Sequence, residues 1–116
     1  MKFWIYLKKE LFDLQPDFEK IFGVNNLYRD YENVWEWLES ADNNESIYLN
    51  ISRPHNWDTG DYDKPILIRV ESNTEEKPDE RTIAMLIKKQ FGCDVFAGDI
   101  SIGSNREPVI QEERKY

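Results

Sequence analysis

Cysteine and histidine are almost absent from this sequence, which has one of each, Cys93 and His55. A single cysteine cannot form an intrachain disulfide, a CxxC redox pair or a cysteine-rich metal site. A Cys-His nucleophile pair would have to join two different predicted elements, and Cys93 follows a helix C-terminus, whose dipole disfavours a thiolate. We therefore expect Cys93 to be a small buried hydrophobic residue.

Glycine-rich loops and catalytic signatures are also missing. The sequence contains no HExxH, Walker loop or GxSxG motif, and its five glycines are too scattered to cradle a phosphate. Asp58, Asp61 and Asp63 near His55 resemble part of a calcium-binding loop, but the glutamate at the twelfth position of that motif is lacking. A solvated acidic turn is the favoured interpretation. We expect no catalytic residues, no cofactor and no metal.

No long apolar run is present. The longest near the start, Phe3 to Leu7, is shorter than the hydrophobic region of a signal peptide, and nothing approaches the length of a membrane span. Together with the scarcity of cysteine, this predicts a protein of the reducing cytoplasm.

Basic residues are outnumbered, with 15 against 23 acidic residues and a formal charge of −8. Such a negative field repels phosphate backbones and anionic lipids, which argues against direct binding to nucleic acid or membranes. It favours a basic protein or a cationic ligand as the partner. The alternative is an acidic surface that serves only solubility.

The abundant residues are apolar and aromatic, at 40% and 14% of the chain, which is enough to form a core without disulfides. We expect one globular domain over residues 1–116, with a charged tail at 105–116 that could add an edge strand. Alternation and helical spacing predict the following elements. They are strand 2–8, a short helix 16–22, helix 30–40, strands 46–52 and 65–71, helix 78–91 and strand 94–103. This order predicts an α+β fold, an antiparallel four- to five-stranded sheet with helices on one face and a βαββαβ, ferredoxin-like order.

The predicted helix from Asp30 to Ser40 has an apolar stripe and an acidic ridge beside it. Helical spacing places Tyr31, Val34, Trp35 and Leu38 on the stripe. The same spacing places Glu32, Glu36 and Glu39 on the ridge, with Trp37 off the stripe among these acids. Six acids and no base occur between Asp30 and Glu45. The helix therefore offers an aromatic anchor in an acidic surround, with a merely solvated face as the alternative.

The connection SRPHNWDTGDYDKP after the second strand is the other distinctive segment. It concentrates residue types that form interaction hot spots or orient ligands. The alternative is structural: Trp57 and Tyr62 would cover the sheet edge, and Arg53 and His55 would pair with nearby acids. The candidate partner-binding residues of the ridge and the loop are Glu32, Glu36, Trp37, Glu39, Arg53, His55, Trp57, Asp58, Asp61 and Tyr62.

The segments DYENVWEWLES and YLNISRPHNWDTGDYDKPILI resemble small bacterial immunity proteins of contact-dependent growth inhibition and related polymorphic toxin systems. The resemblance implies a cytoplasmic inhibitor without catalysis of its own. Its partner would be the C-terminal toxin domain of a larger effector, often a nuclease with a basic cleft, whose active site or substrate surface it blocks. Two rival hypotheses remain: a small-ligand-binding domain or enzyme with a site near His55, and an acidic adaptor or regulatory subunit of a basic protein.

Overall fold

The computed structural model describes residues 1–25, 27–32, 35–40, 47–54, 64–72, 79–104 and 108–116. Within these residues the chain forms two α-helices and one sheet of seven strands. The elements are β1 Lys2–Ile5, α1 Gln15–Phe22, β2 Tyr28–Glu32, β3 Trp35–Glu39, β4 Ile47–Pro54, β5 Ile66–Ser72, α2 Glu80–Phe91, β6 Phe96–Ile102 and β7 Pro108–Lys115. The strands lie in the order β2-β3-β4-β5-β1-β6-β7, and all neighbouring strands are antiparallel.

The predicted α+β class and antiparallel sheet are confirmed, but the predicted strand number and ferredoxin-like order are wrong. The strands expected from alternation correspond to β1, β4, β5 and β6, and the charged tail forms the edge strand β7. The sheet is larger than predicted because residues 30–32 and 35–39 of the predicted helix 30–40 lie in strands. This segment contributes to β2 and forms β3, and together these two strands extend the sheet beyond β4.

Strand formation over this segment follows from its residue types and its partners. Tyr31, Trp35 and Trp37 are aromatic residues that favour strands, and Trp37 lies between Asp30 of β2 and Ser52 of β4 in the sheet register. Buried and half-buried residues alternate along β3 with the period of two that a strand requires. Packing in the sheet thus overrides the helical spacing of the apolar residues.

Both helices end where the sequence predicts. Pro16 lies in the first turn of α1, where its missing N–H costs nothing. Gly23 and Gly92 follow α1 and α2 in the left-handed conformation, each with a φ of 64°. On α2, Ile83, Ala84 and Ile87 are buried, whereas Leu86 is 40% exposed.

The core lies between the two helices and one face of the sheet. Phe18 of α1 packs against Phe91 of α2 with ring centroids 4.9 Å apart, and Gln90 donates a hydrogen bond to Asp17. Residues of both helices and of five strands form one buried cluster. It includes Phe3, Ile5, Phe18, Phe22, Leu38, Leu49, Ile51, Ile66, Ile68, Val70, Ile83, Ala84, Ile87 and Ala97. We call this side of the sheet the helix face.

The opposite side of the sheet, here called the open face, is covered by neither helix. Because side chains alternate across a strand, Trp4 points away from the helices although its neighbours Phe3 and Ile5 belong to the core. Trp4 stacks on Phe96 at 5.9 Å, and the ring of Tyr6 meets Phe96 edge-on at 6.0 Å. The open face is therefore rich in aromatic side chains, and one of them, Trp4, is buried and only 1% exposed.

Hydrogen bonds to the carboxylate of Glu80 connect the C-terminal end of the chain to α2. Arg114 donates to both carboxylate oxygens of Glu80, at 2.7 and 2.9 Å, and the Tyr116 hydroxyl donates to the same carboxylate at 2.6 Å. Val95 and Tyr116 exchange a pair of backbone hydrogen bonds. The hydrogen bonds from Arg114, chiefly, hold the pKa of Glu80 below its ordinary value of 4.5.

The lowered pKa of Glu80 predicts how the stability of the protein depends on pH. A carboxyl with a lowered folded-state pKa stabilises the protein above its unfolded pKa, and this contribution is lost as pH falls through the folded value. We expect Glu80→Gln to be less stable than the unmodified protein at neutral pH, and the gap to shrink as pH falls below about 4.5. Urea unfolding across this pH range measures the gap. Glu113→Gln, at an exposed position of β7, is the control; an equal pH-dependent gap there would contradict the assignment.

Candidate functional site

The four candidate residues from the predicted acidic helix lie on two strands and do not form a ridge. In the register of β2 and β3, Glu32 is opposite Trp35, Trp37 is opposite Asp30, and Glu39 is opposite Tyr28. These residues share the open face. Glu36 points to the helix face and is 1% exposed. The predicted continuous ridge of Glu32, Glu36 and Glu39 is therefore wrong, because strand alternation separates Glu36 from the other two.

Glu36 forms a buried ion pair with Arg53 of β4. The Arg53 side chain is completely buried, and its Nη2 lies 3.0 Å from Glu36 Oε1. Arg53 Nη1 also donates to the backbone carbonyl of Lys9 at 2.8 Å, which ties the segment after β1 to β4. Arg29 approaches the other Glu36 oxygen, at 3.8 Å. Glu36 and Arg53 were both predicted to contact a partner. In the structure they are buried and bind each other instead.

The other candidates from the loop after β4 are His55, Trp57, Asp58, Asp61 and Tyr62. All five lie outside the described residues. Their roles in partner binding remain predictions.

The open face of β2 and β3 brings aromatic and acidic side chains together. We define the acidic aromatic face as three cross-strand pairs: Tyr28 with Glu39, Asp30 with Trp37, and Glu32 with Trp35. Trp35 and Trp37 are half-buried, whereas the three β2 residues are exposed. Half-buried tryptophans supply a large apolar contact area at little additional entropic cost, and the surrounding carboxylates attract positive charge.

The carboxylate of Glu39 is held in place by its neighbours. The Tyr28 hydroxyl donates to Oε1 at 2.7 Å, and the Asn50 amide donates to Oε2 at 3.0 Å. Burial, followed by the charge of Glu39, raises the pKa of Tyr48 above its ordinary value of 10.0. Because both oxygens of Glu39 already accept a hydrogen bond, the acceptor is pre-organised for a cationic group of a partner.

The positive charge of Arg69, on the nearby strand β5, is neutralised by Glu71. Arg69 bonds Glu71 through Nε and Nη2, at 3.0 and 2.8 Å, and its guanidinium lies 5.6 Å from the ring centroid of Tyr48. Arg69 is therefore not available to neutralise the carboxylates of Asp30, Glu32 and Glu39, which lie on β2 and β3.

Sequence reasoning missed Tyr28, Asp30 and Trp35 as residues of this face. Trp35 was assigned to an apolar helix stripe, and Asp30 was placed at the start of the same predicted helix. The signal that could have placed Trp35 is the spacing of Trp35, Trp37 and Glu39 at every second position, which is typical of one face of a strand.

Other chemistry has little support in the part of the chain that the structure describes. Its histidine, cysteine, aspartate and glutamate side chains form no group that could hold a metal ion. Cys93 is half-buried and not fully buried as predicted, and this partial burial raises the pKa of its thiol, which disfavours the nucleophilic thiolate. Among the same residues, no helix is both long enough and apolar enough to cross a membrane.

Comparison with known proteins gives no relative: no family model matches the sequence, and no curated protein or solved structure is significantly similar to the chain.

Proposed function

We propose that this protein is an immunity protein that binds and neutralises the toxin domain of a bacterial effector, most readily a nuclease with a basic cleft. The observation that carries the proposal is the acidic aromatic face, where two tryptophans lie directly opposite carboxylates on an exposed sheet surface. The resemblance of the segments around this face to immunity proteins supports the same function.

The physical properties of the face suit a tight inhibitor. A chain of charge −8 is steered toward a basic surface, which raises the association rate. Tryptophans at the centre of the contact exclude water and slow dissociation. A lethal enzyme must be held at nanomolar affinity or better, which corresponds to about −12 kcal/mol. The inhibitor itself would need no catalytic residue, because covering the toxin's cleft is sufficient.

The rival hypothesis of a ligand or catalytic site near His55 is weakened, because one of the residues of that site would be Arg53. Arg53 is fully buried and engaged by Glu36 and the Lys9 carbonyl, so its guanidinium is not presented to a surface ligand. Binding through the open face requires no such group.

Co-expression with a candidate toxin tests the function. We expect the toxin domain encoded beside the gene of this protein to stop growth when it is induced alone in a bacterial host. Co-expression of this protein should restore growth and yield a stable complex in size-exclusion chromatography. An unrelated toxin domain of similar charge is the control. Equal killing by the neighbouring toxin with and without this protein would contradict the proposal.

A further inference from the structure

The strand β2 forms one edge of the sheet, and its outward-facing peptide groups can be identified. On β3, the Ser40 N–H donates to the Leu49 carbonyl at 2.9 Å, so the even-numbered residues of β3 direct their backbone groups toward β4. The backbone groups of the odd-numbered residues of β3 must then point toward β2. There they bond to the backbone of Tyr28, Asp30 and Glu32, which lie opposite them. This alternation leaves the backbone groups of residues 29 and 31 directed away from β3.

A hydrogen bond at this edge agrees with that assignment. The Tyr31 N–H donates to the carboxylate of Asp30 at 2.8 Å, so it is directed away from the ladder with β3. Among the strands that the structure describes, none lies beyond β2. Asp30 therefore occupies a backbone donor that an added strand would need, and acidic side chains at sheet edges commonly prevent unwanted pairing.

A second copy of the chain is a poor occupant of this edge. If two β2 strands paired symmetrically about Asp30, Arg29 would lie opposite Tyr31 and Asp30 would face its own copy. The facing aspartates would form a non-hydrogen-bonded pair with Cα atoms about 4.5 Å apart, where like charges are destabilising. A strand with lysine or arginine opposite Asp30 reverses the sign of this interaction.

We propose that the β2 edge receives an extended, cationic segment of the partner as an additional antiparallel strand. The segment hydrogen-bonds to the backbone of Arg29 and Tyr31 and places a basic side chain opposite Asp30. That side chain attracts the Asp30 carboxylate and releases the Tyr31 N–H for the new ladder. Glu32 lies on the same face of β2 and favours further positive charge in the segment. This binding mode rests on the proposed function, since it specifies how a basic partner is held.

A pair of isomeric peptides tests the proposal. The probe is a short, end-capped peptide that alternates threonine and lysine. With lysine opposite Asp30, the threonines occupy the hydrogen-bonded positions, so their N–H groups face β2 while those of the lysines face away. N-methylation of the threonines should weaken binding about tenfold, because two ladder hydrogen bonds are lost. N-methylation of the lysines should leave affinity unchanged. Amide resonances of residues 29–32 should respond to the peptide.

Two protein variants with the same net charge separate the local effect from the overall field. Asp30→Asn keeps an oxygen that accepts from the Tyr31 N–H but removes the charge, and should weaken the peptide about two- to fivefold. Glu113→Gln, on the strand β7 at the other edge of the sheet, should leave affinity unchanged. Equal affinity of both methylated isomers, or resonance changes confined to other strands, would overturn the proposal. A dimer protected at β2 would overturn it too.

These outcomes are distinguishable from failure of the proposed function. If no toxin is neutralised but the peptide pairs with β2 as described, only the function is wrong. If the toxin is neutralised while the amides of Arg29 and Tyr31 are unprotected from hydrogen exchange in the complex, only the strand addition is wrong.

Discussion

Replacing Arg53 by methionine is expected to destabilise the protein by about 3–5 kcal/mol, because it leaves the buried carboxylate of Glu36 without its main partner. Glu36 is 1% exposed and accepts its hydrogen bond from Arg53 at 3.0 Å. The bond to the Lys9 carbonyl is lost as well. Because small domains have a total stability of about 5–15 kcal/mol, the loss should be plain in urea unfolding monitored by tryptophan fluorescence.

A double replacement is the matched control for this ion pair. Glu36→Leu together with Arg53→Met removes both charges and fills the space with apolar atoms, which is often neutral or stabilising for a buried pair. We expect the double variant to be more stable than either single variant. Simple addition of the two single losses would show that the residues are not coupled and would contradict the assignment.

The regular elements of the fold were predictable where local signals agree. The helix α2 has Glu80 in its first turn, Lys88 and Lys89 in its last turn and Gly92 after it, and each signal favours the observed ends. The strands β4 and β5 have apolar residues at every second position, which is the pattern of a strand with one buried face. In these segments local preference and tertiary packing favour the same structure.

The segment 30–40 was predicted to be a helix because Glu36, one of the two buried residues on β3, is charged. A strand pattern would have been evident if position 36 were apolar, since 36, 38 and 40 all face the helices. Because Glu36 is charged, the alternation of buried residues was not visible in the sequence. The apolar residues of the segment fitted the spacing of a helix instead. The partner of Glu36, Arg53, continues the buried series of Leu49 and Ile51 on β4. The pairing depends on the register of β3 and β4, which no local pattern in the sequence reveals.

Only part of the candidate site was predicted from the sequence. An exposed tryptophan surrounded by carboxylates was expected from Trp37, Glu32 and Glu39, and these three residues do share one face. The contributions of Tyr28 and Asp30 come from the neighbouring strand, so they required knowledge of the β2–β3 pairing. Net charge indicated the kind of partner, whereas only the sheet shows which surface carries the charge.

Replacing Trp37 by alanine is expected to weaken toxin binding by at least about 2 kcal/mol, or about thirtyfold, as for a central tryptophan of an interface. Trp37 lies at the middle of the acidic aromatic face, between Asp30 and Ser52 in the register. Leu86→Ala is the control, because Leu86 is a large apolar residue that is 40% exposed but lies on α2, on the helix side of the sheet. Isothermal titration calorimetry measures affinity, and a thermal melt verifies that each variant is folded. If both variants lost affinity equally, or neither did, the open face would not be the binding surface.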